Sequence, residues 1–230
     1  MHCRQGSIVM NVKERLRRWF KLRFAILYPF GIFMILFANC DDKSLGSGIP
    51  FIIAGELIRL WANGYAIKSE KLTTSGPYAL VRHPLYLGTM LLAVGFIVLL
   101  KIYYVGPALL VVMAIVYAGT IRKEERMLEG KFKEYADYRK KVPAMVPTLF
   151  PYRGGEKWGF SFERLIRSQE YKPLLWIAAL VIVFYLKGKF FVEKEALDSK
   201  KLWLMITAAL LVMLDIAGEA VKYWKKKHMA

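Results

Sequence analysis

The residues best suited to chemistry lie in one short polar stretch, residues 72–88 (LTTSGPYALVRHPLYLG). Its Arg82 carries a planar, permanently charged guanidinium that suits a carboxylate or a phosphate. Because a proline follows His83, we expect an extended residue that presents its ring and its carbonyl rather than a helical one. Tyr78 and Tyr86 add flat amphipathic rings. The stretch therefore predicts a binding site for a polar molecule that carries a carboxylate or phosphate.

A second polar cluster, Arg122-Lys123-Glu124-Glu125, follows about forty residues later, where an apolar segment ends. Adjacent carboxylates accept hydrogen bonds from an ammonium group or from ribose hydroxyls. Together the two clusters offer cations, two anions and several rings, a set that suits a zwitterionic, ring-bearing small molecule.

Each of these groups also has an ordinary explanation. Basic residues flank membrane helices on the cytoplasmic side, and tyrosines line membrane interfaces. Glutamates near a helix end pair with neighbouring lysines or arginines in solvent. We favour a single site because both clusters fall on the same side of the membrane in the arrangement described next.

Long apolar segments position the two clusters. Hydrophobic residues make up 56% of the chain, and the mean hydropathy is +0.32. A membrane-spanning helix needs about 20 mostly apolar residues. We predict an all-α, polytopic integral membrane protein with about six spans, at residues 22–39, 49–66, 86–100, 103–121, 174–191 and 202–221. A soluble protein with buried core helices is the alternative, but such long runs rarely recur six times.

The net charge of +17 reports orientation rather than binding to nucleic acid. When six spans are threaded with both termini in the cytoplasm, most of the 35 Lys and Arg residues fall on the cytoplasmic side. The predicted partner is the lipid bilayer, with no nucleic acid. Cys3 and Cys40 fall on opposite sides and cannot pair, and no zinc motif or other metal site is expected. The first apolar run is predicted to be an anchor rather than a signal peptide.

The chain divides into one membrane core and its attachments. Residues 40–48, rich in turn formers, are predicted to join the first two spans, and Glu56 and Arg59 are predicted to pair within the second span. Residues 123–141 are predicted to form an amphipathic helix on the membrane surface, which Gly130 divides. The predicted divisions are a basic cytoplasmic N-terminus, a membrane core with a cytoplasmic cap, a cytoplasmic linker and a C-terminal transmembrane hairpin, at residues 1–21, 22–151, 152–171 and 172–230.

Three segments resemble one family of membrane enzymes. TSGPYALVRHPLYLG, the later EERMLEGKFKEYADYRKKVPAMVP and the preceding GELIRLWANGYAIKSEKL are together similar to the isoprenylcysteine carboxyl methyltransferase family. The wider group includes phospholipid N-methyltransferases and membrane sterol reductases. The resemblance covers residues 55–147. This sequence departs from the family's pattern after Phe132: the glycine that usually follows this phenylalanine in the family is missing, and the segment up to Tyr135 is one residue shorter than in the family.

The resemblance implies a membrane enzyme that uses S-adenosyl-L-methionine and methylates a lipidic or prenylated small acceptor. We predict catalytic or substrate-side roles for three residues: Arg82 from the chemistry of its guanidinium, and Arg122 and Glu125 from their places near Glu124. The resemblance implies cofactor contacts for Leu72, Thr73, Tyr78, His83, Pro84, Leu85, Tyr86 and Glu124. Which of the two adjacent glutamates holds the cofactor stays open. So do O- versus N-methylation, the acceptor and the oligomeric state.

Two other functional classes remain alternatives. A reductase of the wider group would use NADPH and would need extra basic residues for the 2′-phosphate. A non-catalytic membrane protein would keep the fold without binding a cofactor. A soluble nucleotide-binding fold is disfavoured, because no GxGxxG follows a strand.

Overall fold

All the regular secondary structure is helical in the part that the computed structural model describes, residues 38–67, 71–169 and 171–228, and no strand occurs there. This confirms the all-α class. Nearly all of these residues fall within one compact unit, Asn39–Ala230. The predicted basic N-terminus and nearly all of the first predicted span lie outside the described residues. The helices are α1 (Asp42–Tyr65), α2 (Pro84–Leu99), α3 (Gly106–Lys131), α4 (Tyr135–Lys141), α5 (Phe162–Ser168), α6 (Tyr171–Lys187) and α7 (Ser199–His228).

Long apolar helices make up nearly half of the described residues. Among the described residues, four helical segments are long and apolar enough to cross a membrane: Asp42–Tyr65, Gly106–Lys131, Lys172–Val192 and Ser199–Gly218. The segment Pro84–Leu99 is apolar but shorter, as the sequence predicted for its third span. The chain is therefore an integral membrane protein.

Helix α1 begins earlier than the sequence predicted. Asp41 caps it: its Oδ1 accepts a hydrogen bond from the Ser44 amide at 2.7 Å, and the Ser44 hydroxyl accepts one from the Asp41 amide at 3.0 Å. This reciprocal capping box satisfies two amides at the helix start. The predicted loop over residues 40–48 is therefore wrong, because most of it forms the first turns of α1.

Glycines let α1 and α2 pack with their backbones almost in contact. Gly48 and Gly55, seven residues apart on α1, face Gly95 and Gly88 on α2. A Cβ added at Gly55 would lie 2.6 Å from the Gly88 carbonyl oxygen. Small residues at such crossings are typical of helix pairs in membranes, where close packing replaces the hydrophobic effect.

A buried polar group joins the same two helices. The predicted pairing of Glu56 with Arg59 is confirmed, with Oε1 and Nε 3.7 Å apart. Arg59 Nη1 also donates a hydrogen bond to Thr89 Oγ1 on α2 at 2.7 Å. Charged groups inside a span pair in this way because unpaired charge is costly there.

The glycine contact gives a first testable prediction. We expect Gly55→Ala to destabilise the protein by about 1–3 kcal/mol, because the new methyl group meets rigid backbone rather than a flexible side chain. Gly119→Ala on α3 is the matched control, since nothing lies within 4 Å of its Cβ position. Thermal unfolding in detergent should show a lowered midpoint for the first variant and an unchanged or slightly raised one for the second. Equal midpoints would contradict the close-packing account.

The amphipathic segment over residues 123–141 is divided as predicted, but the break lies at residues 132–134 rather than at Gly130. Helix α3 runs past Gly130 to Lys131, and the chain turns at Phe132, whose backbone is extended, before α4 begins. The reason is tertiary packing: Tyr135 and Tyr138 on α4 are buried with Val142, against Leu128 and Tyr152. These apolar positions therefore face protein.

The chain after α4 folds back as a strap without regular secondary structure, residues 142–154, along the turn that precedes α2. The Arg82 and His83 amides donate hydrogen bonds to the carbonyls of Pro143 and Ala144 at 2.9 and 3.1 Å. Without the strap these two amides would have no backbone acceptor, since neither lies within a helix. The strap thus fixes the backbone of the Arg-His-Pro triplet.

Helices α6 and α7 form a hairpin that contacts the core at the start of α1. Residues 188–192 continue α6 as a π-helical turn. Lys189 in this turn lies 3.0 Å from Asp42 and 2.7 Å from Glu193. The predicted linker over residues 152–171 contains α5, which packs on α1.

Candidate functional site

The two polar clusters of the sequence meet around one buried carboxylate. Glu125 is 5% exposed. Its Oε1 lies 3.0 Å from Arg82 Nη1 and 3.3 Å from His83 Nε2. Its Oε2 lies 3.6 Å from Arg139 Nε on α4. Three chain segments therefore converge on one negative charge, which joins the end of α3 to the start of α2.

The neighbouring glutamate has a different environment. The Glu124 side chain is 40% exposed, against 7% for that of Glu125. Tyr86 donates a hydrogen bond from its hydroxyl to Glu124 Oε1 at 2.6 Å, and His83 Nδ1 lies 3.6 Å from Oε2. The His83 ring thus stands between the two carboxylates, with one of them enclosed and the other accessible.

The accessible glutamate opens onto a cavity of about 210 Å³. The cavity is lined by seven residues, all of them predicted as site residues: Tyr78, Arg82, His83, Pro84, Leu85, Tyr86 and Glu124. Pro84 occupies the first turn of α2, where its missing amide costs no helical hydrogen bond. The Tyr86 ring packs against Tyr117 of α3 with centroids 4.8 Å apart.

Three predicted residues lie elsewhere. Arg122 is exposed on α3, because the buried face of that turn carries Ile121 and Glu125, four residues apart. Leu72 packs near the tyrosines of α4 and lines a separate cavity of about 410 Å³. The Thr73 hydroxyl accepts a hydrogen bond from the Ile67 amide at 3.0 Å. This bond is local to the connection between α1 and α2.

Burial sets the charge state around the site. Desolvation lowers the pKa of His83 below its usual 6.5, although the hydrogen bond and the charge of Glu125 oppose this. His83 is therefore neutral at pH 7. Burial raises the pKa of Tyr135 to about 12, with the Glu125 charge as the next cause. Arg82 Nε is buried without a hydrogen-bond acceptor in the described part of the chain, whereas Arg82 Nη1 faces the Glu125 carboxylate.

The lowered pKa of His83 gives a pH prediction. The unfolded chain binds a proton at this residue more readily than the folded protein, so stability falls as pH drops below about 6.5. Between the His83 pKa of the unfolded chain and the lower pKa of the folded protein, the free energy of unfolding falls by up to about 1.4 kcal/mol per pH unit. Below the folded pKa, His83 no longer contributes to this pH dependence. Unfolding midpoints measured from pH 7.5 to 5.5 should fall less in His83→Gln than in the parent. If the midpoints of the parent and of His83→Gln fell equally with pH, the lowered pKa of His83 would be contradicted.

Several groups at the site were not singled out from the sequence. Tyr117 lies seven residues before Glu124, two helical turns, so the helical period could have identified it. Arg139 could not be found in this way, because the break before α4 changes the register. The carbonyls of Pro143 and Ala144 carry no side-chain signal at all.

Comparison with known proteins identifies the same region. Residues 56–135 match the family model described as phospholipid methyltransferase. The cobalt-zinc-cadmium resistance protein CzcN of Cupriavidus metallidurans is 36% identical over 130 residues, which are 54% of this chain and 58% of that protein.

Two further relatives are named as methyltransferases. Protein-S-isoprenylcysteine O-methyltransferase B of Arabidopsis thaliana is 34% identical over 115 residues, 44% of this chain and 58% of that protein. Protein-S-isoprenylcysteine O-methyltransferase of Rattus norvegicus is 30% identical over 125 residues, 52% of this chain and 40% of that protein. No solved structure matches the chain significantly.

The chain spans about half the length of the curated relatives it matches. The matched region nevertheless contains the Arg-His-Pro triplet and both glutamates. The resemblance predicted from the sequence is confirmed: residues 56–135 match the phospholipid methyltransferase model, and isoprenylcysteine O-methyltransferases are among the proteins similar to this chain.

Proposed function

We propose that this protein is an S-adenosylmethionine-dependent membrane methyltransferase that methylates the carboxyl group of a lipid-attached or prenylated acceptor. The observation that carries the proposal is the meeting of Tyr86, His83 and Glu124 at one cavity beside the end of a membrane helix. The named activity of the isoprenylcysteine O-methyltransferases among the relatives supports the reaction class.

The residues at the cavity suit this cofactor. A partly exposed carboxylate, Glu124, can accept hydrogen bonds from an ammonium group or from ribose hydroxyls. The faces of Tyr78 and Tyr86 attract a cation. Arg82 lines the cavity, and its guanidinium could form a charge-assisted pair with a carboxylate there. The cofactor, when bound, supplies a methyl group on a sulfonium cation, which is transferred by direct displacement and needs no metal.

We assign the two glutamates different tasks. Glu124 faces the cavity and is proposed to contact the cofactor. Glu125 is enclosed by Arg82, His83 and Arg139 and is proposed to position them. A neutral His83 ring has one N–H and can donate it to one of the two carboxylates.

An acceptor carboxylate is already ionised at pH 7, so the reaction requires no strong base. The work left to the protein is alignment of the reacting groups and exclusion of water. Helices α2 and α3 bound the cavity, so we propose that a lipidic acceptor enters sideways from the bilayer. The cofactor would enter from the cytoplasm, the side on which both chain ends are predicted to lie.

Phospholipid N-methylation is the second candidate, favoured by the description of the matched family model. An amine acceptor must lose a proton before attack, so its rate should rise with pH towards the amine pKa. A carboxyl acceptor predicts a rate that does not depend on deprotonation of the acceptor above pH 6.

One assay separates the two reactions. The purified protein in lipid nanodiscs is given methyl-labelled S-adenosylmethionine with either a farnesylated cysteine that has a free carboxyl group or phosphatidylethanolamine. We expect label in the farnesylated cysteine as a base-labile ester. Label confined to phosphatidylethanolamine and stable to base would replace carboxyl methylation with the second candidate.

A further inference from the structure

The strap has an apolar tip that no part of the described protein covers. Leu149 is 91% exposed and Phe150 84%, and Val146, just before the tip, is 71% exposed. These residues lie outside the helices long enough to span a membrane, so lipid around those helices does not by itself account for them. A cluster of large, solvent-exposed apolar side chains marks a surface that binds another molecule or a membrane.

Two hydrogen bonds hold the tip in place. The Thr148 amide donates to the Leu80 carbonyl and the Tyr152 amide to the Ala79 carbonyl, each at 2.9 Å. The acceptors lie only a few residues before Pro84, where α2 begins. The tip is therefore held at the level where an apolar helix starts, which is the membrane boundary if α2 lies in the bilayer.

A cationic cavity lies directly beside the tip. It has a volume of about 430 Å³ and is lined by Lys141, Thr148, Phe150, Pro151, Tyr152, Arg153 and Gly154. Lys141 is paired with Asp137 at 2.9 Å. Arg153 is exposed and makes no ion pair within the described residues. A guanidinium next to apolar side chains suits a molecule with a phosphate joined to hydrocarbon.

We propose that the strap tip, residues 148–153, docks into the membrane interface. Leu149 and Phe150 would insert among the upper acyl chains, and Arg153 would bind the headgroup phosphate of an anionic lipid. Exposed apolar and basic residues side by side are the combination that binds anionic bilayer surfaces. This surface is separate from the cavity at Glu124 and does not depend on the proposed methyl transfer.

A bilayer suits this surface better than a second copy of the chain. A stable protein–protein interface buries on the order of 1,200 Å² or more, which a tip of a few residues cannot provide. The basic charge beside the tip matches anionic headgroups, whereas a second copy would bring the same positive charge.

The test measures the depth of the tip in nanodiscs that hold one copy of the protein. Phe150→Cys in a Cys3→Ser background carries an environment-sensitive fluorophore, and the buried Cys40 is left in place. Exposed Lys157, changed to cysteine and labelled in the same way, is the matched control. Lipids with a nitroxide quencher on the upper acyl chain report insertion.

We expect the label at position 150 to be quenched at least about threefold more strongly than the label at position 157. Adding phosphatidylglycerol to phosphatidylcholine should increase this quenching, and Arg153→Gln should remove the increase, whereas the charge-matched Lys157→Gln should not.

Equal weak quenching at both positions would overturn the proposal. A blue-shifted label that lipid does not quench would overturn it too, because protein would then cover the tip. A lipid response unchanged by Arg153→Gln would overturn the headgroup contact.

Discussion

Glu124→Gln is expected to weaken the use of S-adenosylmethionine by about 10- to 100-fold, as an increase in KM, in the dissociation constant or in both. The substitution removes one negative charge and keeps the shape of the side chain, and a hydrogen bond to a charged group contributes about 1.5–3 kcal/mol. The amide oxygen can still accept the hydrogen bond that Tyr86 now donates, so the fold should be retained.

Glu163→Gln is the control for this variant. Glu163 lies in α5, is exposed and pairs with Arg167 in solvent, so the change in net charge is the same without a change at the cavity. Initial rates of methyl transfer should separate the two variants clearly. If both variants transferred methyl groups at the parent's rate at every cofactor concentration, the proposed contact of Glu124 with the cofactor would be wrong.

Glu125→Ala is expected to destabilise the protein by about 3–5 kcal/mol, because it leaves buried positive charge without its counter-ion. The Arg82 side chain is only 10% exposed, so it cannot easily turn to water. Arg82→Met should have a comparable effect by leaving the buried Glu125 carboxylate without its nearest partner. Chemical unfolding in detergent measures both.

The double variant Arg82→Met/Glu125→Leu distinguishes positioning from catalysis. An apolar pair of similar volume can replace a buried ion pair at little cost, so we expect much of the lost stability to return. Methyl transfer should stay low, because Glu125, which contacts the His83 ring, and Arg82, which lines the cavity, are both gone. Additive losses of stability in the double variant would contradict the buried ion pair. The exposed Arg167–Glu163 pair, disrupted as a control, should leave the unfolding midpoint unchanged.

Much of the site could be predicted because its residues are close in sequence. His83 and Pro84 set the start of α2, and the same short stretch contributes six of the seven residues that line the cavity. Glu124 and Glu125 stand at the end of a helix whose apolar run is plain in the sequence. Convergence of two such clusters needs only that both helices enter the membrane from one side.

Tertiary contacts explain what could not be predicted. The helical pattern over residues 123–141 continues across Phe132, yet the burial of Tyr135 and Tyr138 against Val142 turns the chain there. Glycines at 46 and 48 resemble a turn, but the capping box at Asp41 and Ser44 starts α1 before them. The role of the strap rests on backbone carbonyls, which side-chain patterns do not report.

The proposed reaction requires that the cavity between the start of α2 and the end of α3 binds the cofactor. The most direct measurement is a calorimetric titration of the detergent-purified protein with S-adenosylhomocysteine, repeated with Glu124→Gln and with Glu163→Gln. We predict saturable binding near one molecule per chain in the parent and in Glu163→Gln, and binding at least about 10-fold weaker in Glu124→Gln. Absence of binding in a folded parent protein, or equal affinity in all three proteins, would contradict the account.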